Sequence, residues 1–160
     1  MSPAAVSVRI KGLEKLQRRL DAAGRKHLSD ALRKATGTSV LLVEAEAKER
    51  VPQVTRALFR SIGGTVTARG AGFRGVVKAG GEGVAYARAV EFGTKPHVIR
   101  PKRGRVLRWR SGRGFRYATK VNHPGTRAQP YMEPTLRAKR PQIQRLFSDA
   151  ANDVLRRVAR

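Results

Sequence analysis

Between Phe92 and Met132 the chain carries eleven lysines and arginines and not one aspartate or glutamate. Lys95, Arg100, Lys102, Arg103, Arg105, Arg108, Arg110, Arg113, Arg116, Lys120 and Arg127 therefore have no partner inside the segment. A buried cation without a counter-charge is prohibitively costly, so this stretch must face water or something negative. The core has to come from the residues on either side of it.

The rest of the composition says how. The 160 residues hold 35 Lys and Arg against 11 Asp and Glu, a formal charge of +24. That excess favours a polyanionic or acidic partner over a small neutral substrate. Yet 40% of the residues are hydrophobic, which excludes a disordered basic tail. A single domain spanning 1–160 is expected, since one core commonly serves about 100 to 150 residues. With no cysteine, neither a disulfide framework nor a zinc finger can form, as suits a reducing cytosol or an assembled particle. The first residues, Met1 to Lys11, alternate polar and apolar and include Arg9 and Lys11, which predicts no signal peptide. The longest apolar run, Val40 to Val43, is far short of the ~20 residues of a membrane span.

Periodicity divides the flanks. Val6, Val8 and Ile10 alternate with polar residues as a half-buried strand ended by Gly12, and Leu13, Leu16 and Leu20 follow at helical spacing up to Gly24. A long helix is predicted from about Ser29 to Arg50, with Leu32, Ala35, Ser39 and Leu42 on its faces and Gly37 weakening its middle. Pro52 stops it, because the residue before a proline is pushed toward extended geometry. Thr55 is placed to cap a short helix from Arg56 to Ile62. Gly63-Gly64 then introduces a hairpin, Thr65 to Arg69 and Phe73 to Ala79, turning through Gly70-Ala71-Gly72. A turn around Gly80 to Gly83 leads to Tyr86 and to a Val90-Glu91-Phe92-Gly93-Thr94 turn, in which Phe92 is expected to be buried. The last helix should run from about Pro134 to Val158, with Leu136, Ile143, Phe147, Ala150, Val154 and Val158 on one face and a kink or restart at Pro141. The expected architecture is α+β: a small, mostly antiparallel sheet packed on one face by the long helix and the C-terminal helix. Expected core residues also include Leu58, Ile62 and Val76.

Within the basic segment, Val98 to Arg100 should be extended between Pro96 and Pro101, and Arg105 to Arg110 should pair with Phe115 to Lys120 as a protruding hairpin. Its register decides what it presents. An odd loop places Trp109 opposite Phe115 and Leu107 opposite Tyr117, leaving Arg108, Arg110 and Arg116 on the other face. A four-residue loop sets Arg110 against Phe115 and Trp109 against Arg116, mixing aromatics with guanidinium groups. The segregated register is favoured, because so polar a hairpin needs its apolar side chains together to dock. A solvated arm without a partner is the alternative.

Motifs for chemistry fade on inspection. Gly70, Gly72 and Gly75 spell Gly-x-Gly-x-x-Gly, but the following residues are strand-like where a dinucleotide site needs a helix. Gly80-Gly81-Glu82-Gly83 lacks the Gly-Lys-Ser/Thr ending of a phosphate loop. His27, His97 and His123 have no ligand spacing, so neither a metal nor a cofactor is expected. Glu91, His97, His123 and nearby arginines could serve a small ribonuclease only if they converged, and no spacing enforces that. The chain is therefore not expected to be an enzyme.

One ordered series remains: Val51-Pro52, Thr55-Arg56-Ala57-Leu58-Phe59-Arg60-Ser61-Ile62, Tyr86, Glu91-Phe92-Gly93-Thr94 and Gln129-Pro130-Tyr131. It resembles the head-to-tail connector or tail-completion (neck) proteins of long-tailed bacteriophages, with Arg56 standing where that family usually has Gly. The resemblance implies that Thr55, Leu58, Ser61, Ile62, Tyr86, Glu91, Phe92, Gly93, Thr94, Gln129, Pro130 and Tyr131 are structural positions. The basic hairpin, an insert at about 95–127, varies within that family. The resemblance further implies a structural virion protein at the head-tail junction, made in the host cytoplasm. It would form a homo-oligomeric ring, expected to be a hexamer, beside other neck and tail-terminator proteins. DNA would pass through its lumen and could touch it without sequence preference, and no membrane would be involved. Arg105, Arg108, Arg110, Arg113 and Arg116 would then face DNA or an acidic neighbouring ring, with Trp109, Phe115 and Tyr117 as anchors. Composition by itself favours the other reading, a free, sequence-nonspecific nucleic-acid-binding protein.

Overall fold

The computed structural model describes residues 4–6, 20, 22–52, 56–102 and 104–158. Leu13, Leu16, Val8, Ile10, Thr55 and Arg103, together with the expected Thr55 cap, lie outside the described residues. The elements are β1 (Ala4–Val6), α1 (Ala22–Arg50), α2 (Arg56–Ser61), β2 (Gly63–Arg69), β3 (Gly72–Ala79), α3 (Ala87–Phe92), β4 (His97–Ile99), β5 (Leu107–Ser111), β6 (Gly114–Ala118), β7 (Val121–His123) and α4 (Met132–Val158). The fold is α+β, as the sequence implied.

Helix α1 buries Leu28, Leu32, Ala35, Thr36, Ser39, Val40, Val43 and Ala47, a stripe at three- and four-residue spacing. The two hydroxyls in that stripe are satisfied by their own helix: Thr36 donates to Leu32 O and Ser39 to Ala35 O, each at 2.7 Å. The helix begins at Ala22, seven residues before the expected start, and runs through Gly24. A helical glycine costs only about 1 kcal/mol against alanine, and Leu28 and Leu32 offset that by packing with Leu20 and Val154. Helix α1 ends where Pro52 requires, with Val51 N still donating to Ala47 O at 3.0 Å.

The hairpin β2–β3 turns on two residues, Gly70 and Ala71, because Arg69 pairs directly with Gly72. Gly70 has φ +55° and Ala71 a negative φ, the combination that a tight hairpin turn with glycine first requires. With β1 the hairpin makes an antiparallel sheet of order β1-β3-β2. Alternation along β3 sends Val77 and Ala79 into the core and leaves Val76 only half-buried, which corrects its place among the expected core residues. Leu42 and Phe147 are also half-buried, whereas Leu20, Leu32, Leu58, Ile62 and Val154 are buried.

Helices α1 and α4 lie together on one face of the sheet, meeting β3 where Val40, Val43, Val77, Ile143 and Leu136 pack. The close approach of α1 depends on two glycines. A methyl group on Gly75 would lie 2.6 Å from Val40 Cγ2, and one on Gly64 would collide with Val40 Cγ1. Val40 is β-branched and held to one rotamer in a helix, so it cannot swing aside. Glu44, one turn on, accepts a hydrogen bond from Gly64 N at 3.0 Å. Glu46 reaches the other way, to Lys139 Nζ of α4 at 2.9 Å. The Lys139 hydrogen bond, then that of Arg50, holds the Glu46 carboxyl below the usual carboxylate range. This tie is therefore complete above the ordinary carboxylate pKa and is lost as pH falls through the lowered value.

Helix α4 continues through Pro141 instead of restarting there. Pro141 is solvent-exposed, and burial of Ile143 and Val154 beyond it outweighs the lost backbone bond. Val158 belongs to α4, but its side chain lies outside the described residues.

Two glycine substitutions should move stability in opposite directions. A methyl group on Gly37 meets nothing within 4 Å, so Gly37→Ala should raise unfolding stability by about 1 kcal/mol. Gly75→Val should cost about 1 to 3 kcal/mol by overpacking, and adding Val40→Ala should recover part of that loss. Denaturant midpoints of the single and double variants measure both effects, and an unchanged midpoint for Gly75→Val would refute the close approach.

Candidate functional site

The basic segment leaves the domain between α3 and α4, and a buried carboxylate fixes the place. Glu91, on the last turn of α3, is 3% exposed. Its Oε2 accepts hydrogen bonds from Tyr131 N at 2.8 Å and Met132 N at 2.9 Å, and its Oε1 accepts one from Glu133 N at 3.0 Å. These amides open α4, where backbone donors lack partners within the helix and a negative charge is favoured. Glu91 is thus the cap of a helix that begins some forty residues later in the chain. From the sequence, Glu91 is marked only as a motif position or a candidate for acid-base chemistry.

The rest of the junction closes around that contact. Gln129 N donates to Val90 O at 2.8 Å, and Thr94 and Thr126 exchange backbone hydrogen bonds at 2.9 and 3.1 Å. Gly93 caps α3 with φ 69° and ψ −177°, a conformation practically confined to glycine. Any Cβ there would lie 2.6 Å from Thr126 O. The expectation for Phe92, burial, does not hold. Phe92 is 64% exposed, with the Arg88 guanidinium over its ring at 5.6 Å. Neighbouring residues of a helix point about 100° apart, so an inward Glu91 turns Phe92 outward. The stretch expected as a turn from Val90 is the end of a helix up to Phe92, and only Gly93-Thr94 turns.

Other residues of the motif series make contacts of their own. Ser61 Oγ donates to Leu58 O at 2.7 Å and accepts from Gly80 N at 3.0 Å, tying α2 to the end of β3. Leu58 and Ile62 are buried beneath it. Tyr86 precedes α3 and its carbonyl accepts from Val90 N at 3.0 Å. Pro130 is exposed, while Tyr131 is wholly buried. Neither Tyr131 OH nor Thr135 Oγ1 has a hydrogen-bond partner among the described residues. Burial, then the Glu91 charge and Tyr86, pushes the Tyr131 phenol up to about 12.

From this root a two-tier antiparallel ribbon projects. Strands β4 and β7 pair at its base, with His97 opposite His123. Their rings stack with centroids 5.0 Å apart, although 26 residues separate them in the chain. Gly125 N donates to His123 Nδ1 at 3.0 Å, and His97 Nδ1 lies 2.9 Å from Lys95 O, to which it can donate. Among the described residues no group of three or more His, Cys, Asp or Glu could hold a metal.

Strands β5 and β6 form the tip, and their register overturns the favoured one. Trp109 faces Arg116, Arg110 faces Phe115 and Arg108 faces Tyr117 around a two-residue turn, Gly112-Arg113. Gly112, at φ +60°, permits so tight a turn. One face of the tip therefore carries Trp109 and Arg116, the other Arg108, Arg110, Phe115 and Tyr117. The Arg108 guanidinium sits 4.4 Å above the Phe115 ring. Trp109, Phe115 and Tyr117 are 39, 56 and 60% exposed, so they do not pin the arm to its own domain. Arg105, Arg108, Arg110, Arg113 and Arg116 are all exposed.

The HK97-gp10-like family, described as "Bacteriophage HK97-gp10, putative tail-component", matches residues 14–93, half of the chain. The chain belongs to this family. The match ends at Gly93, where the arm begins. No curated protein and no solved structure matches. Among the described residues no helix is long and apolar enough to cross a membrane.

Glu91→Ala should lose on the order of 3 kcal/mol of unfolding stability, since it leaves buried donors unpaired and uncaps α4. Gly93→Val should be at least as damaging. Tyr131→Phe should be neutral or stabilising, because it removes an unpartnered buried hydroxyl. The folded state holds the phenol proton more tightly than the unfolded chain, so this contribution is complete below pH ~10 and is lost as pH rises through about 12. Denaturant titrations over that range should show the wild type losing on the order of 2 kcal/mol more than Tyr131→Phe.

Proposed function

We propose that this chain is a structural virion protein of a tailed bacteriophage, acting at the head-tail junction without catalysis. It assembles there as a ring, a hexamer, that completes the tail or neck and joins it to the head, with DNA passing through the lumen. The whole chain, 1–160, works as one connector domain with residues 95–127 as its insert. It is made in the host cytoplasm and incorporated beside other neck and tail-terminator proteins.

The observation that carries this reading is the arm in its mounting. An acid-free ribbon with exposed arginines and aromatics projects from a junction closed by Glu91, Gly93 and the Thr94–Thr126 pair. Membership of a tail-component family supplies the setting. In that setting Arg105, Arg108, Arg110, Arg113 and Arg116 meet an acidic neighbour or line the DNA path, and Trp109, Phe115 and Tyr117 anchor the contact. The alternation of cations and aromatic rings at the tip also favours a second reading, a free nucleic-acid-binding protein that grips phosphates and stacks on bases.

Reversing Arg108, Arg110 and Arg116 to Glu should leave the melting transition in place and yield heads and tails that fail to join, as seen by electron microscopy of complemented lysates. The isolated wild-type protein should bind DNA weakly and without sequence preference. Nanomolar, sequence-selective binding at physiological salt, with a log-log salt slope that falls by about 0.9 for each phosphate contact removed and with normal head-tail joining in the variant, would favour the second reading.

A further inference from the structure

A cleft of about 510 Å³ opens between the N-terminal half of α1 and the C-terminal half of α4. Its floor is apolar, with Leu146 and Val154 among the side chains, and its rim carries Asp30, Asp149 and Asp153 against Lys34 and Arg157, with His27 beside them. Arg157 Nε lies 3.2 Å from Asp153, whereas no ion pair engages Asp30 or Asp149 among the described residues. With the histidine neutral, three acids against two bases leave this rim formally negative in a chain of +24. The arm offers the complement: exposed guanidinium groups interleaved with the Trp109, Phe115 and Tyr117 rings.

Position adds a second constraint. The arm is rooted where Glu91 caps the start of α4, while the cleft begins at Leu146, about 20 Å further along the helix at 1.5 Å per residue. The root of the arm and the cleft thus lie at opposite ends of α4. A contact between different patches of identical chains is heterologous, so it propagates head to tail and closes into a ring when the rotation allows.

We propose that the arm tip of one copy docks in the α1–α4 cleft of the next, an inference that rests on the ring reading above and assigns its intersubunit contact. Arg108 and Arg110 meet Asp30 and Asp149 at the rim, and an aromatic ring of the tip covers the apolar floor. Solvation of both surfaces is exchanged for charge-assisted hydrogen bonds and apolar burial, the usual composition of a protein-protein interface.

Two full-length variants test the pairing. One carries Arg108→Glu, Arg110→Glu and Arg116→Glu; the other carries Asp30→Lys and Asp149→Lys. Each alone should sediment as a folded monomer, with wild-type circular dichroism. Their equimolar mixture should recover the wild-type oligomer mass, because the reversed arm then fits the reversed cleft and the native arm fits the native cleft. The chain has no cysteine, so thiols introduced as Arg113→Cys and Thr38→Cys are the only ones present. Oxidation of that double variant should give a ladder of covalent multimers that dithiothreitol collapses. Rings that persist in both charge variants, with no ladder, would overturn the arm-cleft contact while leaving the ring reading intact. A wild type that stays monomeric at every concentration would overturn both. A cross-link confined to the monomer would place the arm in its own cleft and overturn the proposal. So would assembly that fails in the arm variant alone, which points to DNA or another virion protein as the occupant.

Discussion

A carboxylate taken out of water has to be given back its hydrogen bonds, and Glu91 receives three from consecutive amides at the start of α4. That single side chain fixes where the C-terminal helix begins. It also fixes the gap from which the basic arm emerges, because the polypeptide must leave α3 and return to the amides within reach of the same two oxygens. Gly93 makes the exit possible, and the Thr94–Thr126 pair holds the two strands of the arm together at the body. An arm rooted this way has a defined direction, which a cationic segment tethered by loose loops would lack. The same contact delivers Tyr131 and Met132 into the core, so the arm's mounting and the hydrophobic core share residues.

Much of the fold is legible in the sequence because local rules govern it. Pro52 ends α1, Gly63-Gly64 changes helix to strand, and the glycines after Arg69 turn a hairpin. Each is a backbone constraint felt within a few residues. What is missed depends on partners far away in the chain. Gly24 reads as a break until Leu28 and Leu32 are seen packed against Val154. Gly75 reads as the last glycine of a discounted Gly-x-Gly-x-x-Gly until Val40 is seen to need the space above it. Glu91 carries no local sign of its role, since its three donors lie beyond an insert of more than thirty residues. The ordered motif series linked the Glu-Phe-Gly-Thr and Gln-Pro-Tyr stretches, but linkage in order does not say which side chain joins them.

The arm's register shows a different limit. An apolar face is expected because so polar a hairpin needs its few apolar side chains on one side to dock anywhere. The rings of the tip are exposed and are not gathered against their own domain. The arm's tight turn instead sets an even register, and each aromatic ring gains a guanidinium neighbour across the strands. Cation and ring together give a surface that keeps its charge in water and still offers flat apolar area to a partner.

Three of the chain's eleven acids are engaged within the body of the fold. Glu91 is consumed in capping α4, Glu44 in holding Gly64 of β2, and Glu46 in binding Lys139 across the helix pair. These carboxylates join elements and cannot also neutralise the arm, which lies beyond the reach of all three contacts. Eleven of the positive charges therefore sit together in one acid-free segment, and self-repulsion among them is relieved by counter-ions or by negative groups of another molecule. Carboxylates left without ion pairs beside the α1–α4 cleft are such groups, provided the molecule that carries them is another copy of this chain.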